Sequence, residues 1–213
     1  MNTACLTLSA PICRPPARPD SAQPVTDADA PDHDLMLAVR DGDIDALGEL
    51  FERHHRPLFG FLAKLTGDRA AAEDLAQNVF QRMLKYRHTY RDDGCFGAWM
   101  YHLARRCAAD HFRKTTARST PVDPADLERQ ADDAPAAAAV VQSRDDQALL
   151  HLALQRLERD EREVLLLSRL QELSFAEIAG ILECSVGAAR VRAHRALQAL
   201  RDHYFRLQAT ARP

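Results

Sequence analysis

The chain has 213 residues, enough for one large or two small domains, and a formal net charge of −3 that looks wrong for a nucleic-acid binder. That charge is unevenly distributed, because residues 1–34 carry −3, residues 121–146 carry −5 and the remaining segments carry +5. No apolar run approaches the ~20 residues of a membrane span, and five cysteines without a CxxC pair indicate a reducing compartment. The sequence therefore predicts a cytoplasmic protein without membrane insertion, and its many Leu, Ala and Arg residues favour helix.

The N-terminal segment, residues 1–33, is predicted to be a disordered extension. It is rich in Pro, Ala and Asp and offers little apolar surface to bury. It also lacks the charged start and apolar centre of a signal peptide, so none is expected. Helical periodicity then begins and predicts a first domain over residues 34–115.

The first part of this domain contains clear helix boundaries. A helix is expected to break near residues 41–43, and another to begin at Pro57 and end at Gly67. Asp68 is expected to cap a helix that runs from Arg69 to about Tyr86. Its polar outer face carries Glu73, Asp74, Gln77, Asn78 and Gln81.

The second part of the domain is a loop followed by a basic helix that begins near Phe96. Two cysteines and two histidines lie close together here, which raises the possibility of a zinc site. Their spacings match no standard site, so buried thiols and ordinary histidines are predicted instead. The four residues are Cys95, His102, Cys107 and His111.

Residues 116–146 are predicted to be a flexible acidic linker, followed by a second helical domain over residues 147–206 and a tail over 207–213. The second domain ends in a pattern typical of a helix-turn-helix. Ser174 and Glu177 form a capping box, and Ser185 can cap the next helix. From Ser185 to Arg206 there are five arginines and one acid, and the small residues at the start permit close approach to a phosphate. This pattern favours DNA binding over a merely solvated basic face.

Three stretches together resemble the bacterial sigma factors, especially the small extracytoplasmic-function group. DRAAAEDLAQNVFQRM resembles the family's second region, FGAWMYHLARRCAADHFRK resembles its promoter-melting segment, and LERDEREVLLLSRLQELSFAEIAGILECSVGAARVRAHRALQALR resembles its fourth region. The resemblance covers about residues 35–114 and 148–203. It implies an all-α fold with two small helical domains joined by a flexible linker, the second ending in a helix-turn-helix. It also implies core RNA polymerase, promoter DNA and an anti-sigma factor as partners, with no catalytic centre, cofactor or small-molecule substrate.

The resemblance assigns roles to three sets of residues. Core polymerase would bind the outer face of the predicted 69–86 helix, through Glu73, Asp74, Gln77, Asn78 and Gln81. Promoter melting and the downstream element would involve Asp92, Asp93, Gly94, Cys95, Phe96, Trp99, Arg105, Arg106, Arg113 and Lys114. The upstream element near minus thirty-five would be read by Ser185, Gly187, Ala188, Arg190, Val191, Arg192, His194 and Arg195.

Some positions depart from the family pattern or allow two roles. Asn78 stands where the family usually has Glu, while Ala188 and Val191 replace two hydroxyl residues. The family's promoter sequence is therefore not transferable. Trp99 could pack in the core or serve as a stacking platform for an unpaired base.

Two other classes of function remain as alternatives. A stand-alone helix-turn-helix regulator would bind an operator as a dimer without polymerase, although no phosphoacceptor or ligand-binding pattern precedes the motif. An enzyme or a helical adaptor is the other class. The chain has no Gly-rich phosphate loop, GxSxG or HExxH motif, and an adaptor would not need so many arginines on its last helix. A pull-down with core polymerase would discriminate between these classes.

Overall fold

A computed structural model describes residues 31–92, 95–118 and 138–211, with side chains at all of these except 116–118, 138–145 and 211. This part of the chain contains eight α-helices and no strand, which confirms the all-α prediction. The helices are α1 (Asp32–Asp41), α2 (Asp45–Thr66), α3 (Arg69–Tyr86), α4 (Phe96–Arg118), α5 (Ala138–Gln155), α6 (Arg159–Leu165), α7 (Phe175–Ile181) and α8 (Val186–Ala211). A 3₁₀ turn at Arg87–Thr89 follows α3, and a π-helical segment at Leu166–Leu170 follows α6.

The break between α1 and α2 lies where the sequence predicts it. Gly42 has a φ of 116°, a left-handed conformation that glycine adopts without a Cβ clash, and its amide bonds back to carbonyls of α1. The predicted helix start at Pro57 is wrong, because α2 continues through this residue to Thr66. Pro57 is exposed, so the lost backbone hydrogen bond lies on the solvent side, where a helix tolerates it. The continuous buried face on either side, with Leu50, Leu58 and Phe61, holds the helix together.

The bounds of α3 agree with the prediction. The Asp68 side chain accepts hydrogen bonds from the amides of Ala70 and Ala71, at 2.8 and 3.1 Å, and so caps the helix. Gly67, with a φ of 77°, ends the preceding helix in the left-handed conformation. The inner face of α3, opposite the predicted polar face, is buried and consists of Ala72, Leu75, Ala76, Val79, Phe80 and Met83.

Both helices beside the predicted linker extend into it. The first domain, residues 31–118, ends with α4 at Arg118, and the second domain, residues 138–211, begins with α5 at Ala138. Periodicity alone misplaced these ends because the flanking sequence is rich in Ala and Thr rather than in large apolar residues. At the C-terminus, α8 continues past Arg206 into the predicted tail. The predicted extension up to residue 30 and the middle of the linker lie outside the described residues.

The second domain builds its helix-turn-helix from α7 and α8. Ser174 and Glu177 form the predicted capping box, in which each side chain bonds the other residue's amide. The Ser185 hydroxyl accepts a hydrogen bond from the amide of Ala188 at 3.1 Å. The face of α8 that contacts the rest of the domain is made of Ala189, Ala193 and Ala196, whose small side chains let α8 lie close to its neighbours.

The two domains pack directly against each other. Buried apolar residues of both domains form one continuous cluster. The C-terminal part of α2 contacts α5 and α6, and α4 contacts α7. The two predicted helical domains are therefore both present, and they share a continuous apolar core.

Candidate nucleic-acid and protein interfaces

The start of α8 presents a basic surface to solvent. Arg190, Arg192 and Arg195 are exposed, and together with His194 they lie off the alanine face that packs against the domain. Ser185 and Gly187 are exposed at the helix start, where free amides and the positive end of the helix dipole suit a phosphate. Ala188 is half-buried, and Val191 is 50% exposed. Seven of the eight predicted upstream-element residues, all except Ala188, are thus exposed around the first turns of α8.

Two arginines of α8 each lie over an aromatic ring. The Arg190 guanidinium carbon is 5.8 Å from the centre of the Phe175 ring on α7, which links the two helices of the motif. The Arg201 guanidinium carbon is 5.6 Å from the ring of Phe205, one turn along α8 itself. Arg190 therefore extends from the junction of the motif, while Arg201 lies towards the far end of the long helix.

The outer face of α3 is a second polar surface. All five predicted residues are exposed there, which are Glu73, Asp74, Gln77, Asn78 and Gln81. Asn78 differs from the others because its side-chain oxygen accepts a hydrogen bond from the Cys107 thiol of α4, at 3.5 Å. Asn78 thus also contributes to the contact between α3 and α4.

The predicted loop for promoter melting is described only in part, because Asp93 and Gly94 lie outside the described residues. Asp92 forms an ion pair with Arg40 of α1, a partner that no sequence motif indicates. Phe96 and Trp99 are only 5% and 6% exposed. Trp99 lies edge-on to Tyr90 at 5.2 Å between ring centres, so its ring packs in the core and is not available as a stacking platform.

The basic residues of α4 do not form one surface. Arg106, Arg113 and Lys114 are exposed, and Arg113 forms an ion pair with Asp110 at 2.6 Å. Arg105, in contrast, turns towards the second domain and forms an ion pair with Glu163 at 3.3 Å. No local motif indicates this pairing, because the two residues lie 58 positions apart in the chain.

The Cys and His residues of α4 have different environments. Burial raises the pKa of the Cys107 thiol to about 11, so it stays a neutral thiol. Burial also lowers the pKa of His102, and the nearby Arg106 adds to this effect. Within the residues that the structure covers, no group of three His, Cys, Asp or Glu side chains could hold a metal ion.

Sequence reasoning missed the polar residues that join the two domains. Arg162 and Glu163 are only 9% and 5% exposed. Gln155 and Gln171 each bond a group of the first domain. In the sequence, Arg162 and Glu163 lie in DEREVLL and have the pattern of surface charges, so no local signal distinguishes them.

Comparison with known proteins identifies the family. The family models for Sigma-70 region 2 and Sigma-70 region 4 match residues 50–118 and 147–200. The RNA polymerase sigma factor CarQ of Myxococcus xanthus is 39% identical over 172 residues, which cover 78% of this chain and 94% of CarQ. The chain belongs to the RNA polymerase sigma factors. The sigma factor BldN of Streptomyces coelicolor, described as an extracytoplasmic-function factor, is 31% identical over 193 residues that cover 88% of this chain and 68% of BldN. This sigma factor is of the extracytoplasmic-function type.

Solved structures agree on the fold. CnrH, in complex with the cytosolic domain of CnrY, matches with a TM-score of 0.61 and 23% identity over 83% of this chain and 96% of that one. The sigma factor RpoE of Bartonella quintana, in complex with the anti-sigma factor NepR, matches with a TM-score of 0.57 and 19% identity over 73% and 94%.

As a sigma factor, the protein binds core RNA polymerase and promoter DNA and directs transcription initiation. Among the described helices, none is long and apolar enough to cross a membrane.

Proposed function

We propose that this sigma factor selects promoters with two surfaces, binding core polymerase through the outer face of α3 and reading upstream promoter DNA through the start of α8. It acts as a specificity subunit in the cytoplasm, where the polymerase is, and carries out no chemistry of its own. The exposed basic residues of α4 contact the DNA that is being opened.

The observation that carries the proposal is the two-sided character of α8. One side packs through alanines, and the other side exposes Arg190, Arg192 and Arg195 beside a capped helix start. A helix of this kind can enter the major groove with its N-terminal residues towards the base edges. Arginine that is bidentate to guanine gives direct readout, while the helix start holds a phosphate.

The face of α3 supports the polymerase contact. Glu73, Asp74 and Gln77 are exposed side by side on α3, and the buried apolar residues lie on the opposite face of the helix. Carboxylates on such a face suit arginines of a protein partner, since charge complementarity guides association.

The same factor is proposed to be held inactive by an anti-sigma factor. One similar structure is a complex of this kind, since RpoE is bound to the anti-sigma factor NepR. Co-purification of the full chain from its host would identify such a partner, and addition of that partner should then stop transcription in the purified system. A co-purified protein that leaves transcription unchanged would contradict this part of the proposal.

Run-off transcription with core polymerase on genomic fragments tests the main proposal. The full chain should produce discrete transcripts that core polymerase alone does not produce. The free chain should bind the same fragments weakly, because a single helix-turn-helix buries too little surface for tight binding. Tight, sequence-specific footprints by the free chain without polymerase would instead indicate a stand-alone regulator.

A further inference from the structure

Helix α1 contacts the start of the loop that precedes α4. Nδ1 of His33 on α1 lies 2.8 Å from the Tyr90 hydroxyl, just before the loop, and a hydrogen bond joins them. Arg40, at the other end of α1, forms an ion pair with Asp92. His33 and Arg40 are seven residues apart, or nearly two helical turns, so both project from the same face of α1. This face therefore holds the start of the loop at two points.

The first residue of α1 acts on the end of the loop through α2. Asp32 accepts a hydrogen bond from Arg53 at 3.0 Å, and its other carboxylate oxygen lies 2.7 Å from Nε2 of His54. The His54 ring lies against the ring of Phe96, the first residue of α4, with 4.9 Å between the ring centres. Asp32 thus holds the His54 ring in contact with Phe96. Contacts that begin on α1 therefore reach both ends of the loop.

These contacts differ in how much the fold depends on them. Tyr90 and Phe96 are only 3% and 5% exposed, and Tyr90 packs edge-on against Trp99. The side chain of Asp92, in contrast, is 76% exposed. An exposed ion pair contributes little to the stability of a domain. Removal of the Arg40 side chain should therefore release the start of the loop without unfolding the domain.

We propose that α1 positions the loop for promoter reading, with Arg40 and His33 as positioning residues that set which base of the downstream element is preferred. None of the three residue sets to which the resemblance assigns roles lies on α1. The inference rests on the proposed function and on the part in downstream-element reading that the resemblance gives to Asp92 and Phe96. Arg40 acts through Asp92 and makes no contact with DNA itself.

The position of the loop matters because a base that is read from a single strand must first leave the stack. The free energy of unstacking has to be recovered by hydrogen bonds and stacking contacts with the protein. Contacts that are already in place lose less conformational freedom on binding, and their geometry distinguishes one base from another. A loop held at both ends should therefore discriminate between bases better than one held at a single end.

Transcription by the reconstituted holoenzyme from promoters randomised at the downstream element tests the inference. Arg40→Ala should lower the transcript ratio between preferred and disfavoured downstream bases by about fivefold, roughly the discrimination of one base contact. The preference for upstream bases should stay unchanged, and Arg40→Lys, which keeps the positive charge, should retain most of the downstream ratio. Arg56→Ala is the matched control, because Arg56 is an exposed arginine on the neighbouring α2. An unchanged ratio in Arg40→Ala, or an equal loss in the control, would overturn the inference.

A double-variant cycle shows whether Arg40 acts through Asp92. In an Asp92→Asn background, Arg40→Ala should change the downstream ratio no further, because the ion pair is already lost. An arginine that bound a DNA phosphate would instead weaken transcription from every promoter variant alike, with or without Asp92. Additive effects on the ratio, or a uniform loss of transcription, would exclude Arg40 as a positioning residue.

Hydrogen exchange of the free full chain separates the inference from the proposed function. In Arg40→Ala, peptides that cover residues 90–96 should exchange roughly two- to fivefold faster, as expected for the loss of one exposed ion pair. His33→Phe keeps a ring but removes the hydrogen bond to Tyr90, and it should act in the same direction. Peptides from α7 and α8 should exchange as in the wild type. Unchanged exchange of residues 90–96 in both variants would overturn the inference, whether or not the chain supports transcription.

The two measurements together distinguish the ways in which the proposals can fail. If the exchange responds while the full chain supports no transcription with core polymerase, the proposed function fails. The role of α1 in promoter reading then fails with it, and only the contact between α1 and the loop remains. If transcription is normal and the downstream ratio does not respond to Arg40→Ala, the inference alone fails.

Discussion

Arg82 of α3 donates a hydrogen bond to Asp110 of α4 at 2.8 Å, and this ion pair links the helix with the proposed polymerase face to the helix with the basic residues. Asp110 also accepts a hydrogen bond from Arg113 at 2.6 Å. The hydrogen bond from Arg82, with the positive charges of Arg82 and Arg113, holds the pKa of Asp110 below its ordinary value. The orientation of α3 relative to α4 therefore depends partly on one carboxylate.

Asp110→Asn should destabilise the fold at pH 7 by at most about 1 kcal/mol, because the pair is only partly buried. A carboxyl group whose pKa is lowered by folding stabilises the folded state at pH values above its unfolded pKa of about 3.9. This stabilisation is lost as the pH falls through the pKa of the folded state. The variant should thus lose less stability than the wild type on acidification below about pH 4. Thermal unfolding between pH 3 and 7 measures this, with the exposed Asp202→Asn as control. Parallel pH profiles for wild type and Asp110→Asn would contradict the assignment.

Reversing the charge on the outer face of α3 should weaken assembly with core polymerase. Asp74→Lys and Gln77→Ala change exposed side chains, so the free energy of unfolding should change by less than about 0.5 kcal/mol. Competition with unlabelled wild type for core polymerase measures the affinity. Glu52→Lys, an exposed reversal on α2, is the control and should assemble normally. Wild-type affinity in both α3 variants would exclude this face as the contact.

Arginines along α8 should differ in their effect on promoter choice. Arg190→Ala or Arg192→Ala should relax the preference for upstream bases, since a bidentate contact to guanine is worth ~1–3 kcal/mol of discrimination. Arg201→Ala is a matched control, because Arg201 lies on the same helix and over an aromatic ring at a similar distance to Arg190. Transcription from promoter variants by the reconstituted holoenzyme provides the measurement. A change of preferred bases in Arg201→Ala alone would show that the groove contact lies farther along α8.

Replacing either of two glycines of the α2 region by alanine should change the free energy of unfolding, in opposite directions for the two positions. Gly67 has a φ of 77°, and a Cβ there would lie 2.8 Å from the side-chain oxygen of Gln155. Gly67→Ala should therefore cost on the order of 1–2 kcal/mol. Gly60 lies inside α2 with no atom within 4 Å of an added Cβ, so Gly60→Ala should stabilise by about 0.5–1 kcal/mol. Denaturant unfolding of the two variants tests this, and equal effects would contradict the explanation.

Local sequence signals predicted the elements whose boundaries depend on neighbouring residues. These signals are the cap at Asp68, the capping box at Ser174 and the glycines that end α1 and α2. Each acts within one helical turn, so the helix boundary that it causes can be predicted from the adjacent sequence. The exposed faces of α3 and α8 followed from the positions of the buried residues. Pro57 was misread because its local preference for a helix start was overridden by the packed face of α2.

The relation between the domains could not be predicted from the sequence. Periodicity indicates which side of a helix is buried but not which helix covers it, and charged residues such as Arg162 and Glu163 are usually exposed. Arg162 is buried with a hydrogen bond to the carbonyl of Leu65, and Glu163 is buried with an ion pair to Arg105. Both partners lie far away in the chain. Trp99 shows the same limit, since its motif position was compatible with core packing and with base stacking, and its burial shows that it packs in the core.

Arg162 and Gln155 of the second domain donate hydrogen bonds to the carbonyls of Leu65 and Lys64 at the end of α2, and these contacts have a consequence for hybrid transcription factors. Exchanging the second domain with that of a relative is an obvious way to redirect promoter choice. A donor domain without an arginine and a glutamine at the positions of Arg162 and Gln155 would leave the carbonyls of Leu65 and Lys64 without these partners. Such chimaeras should combine a new promoter preference with weaker packing of the second domain on α2, and introducing the arginine and the glutamine into the donor domain should restore the packing while keeping the new preference.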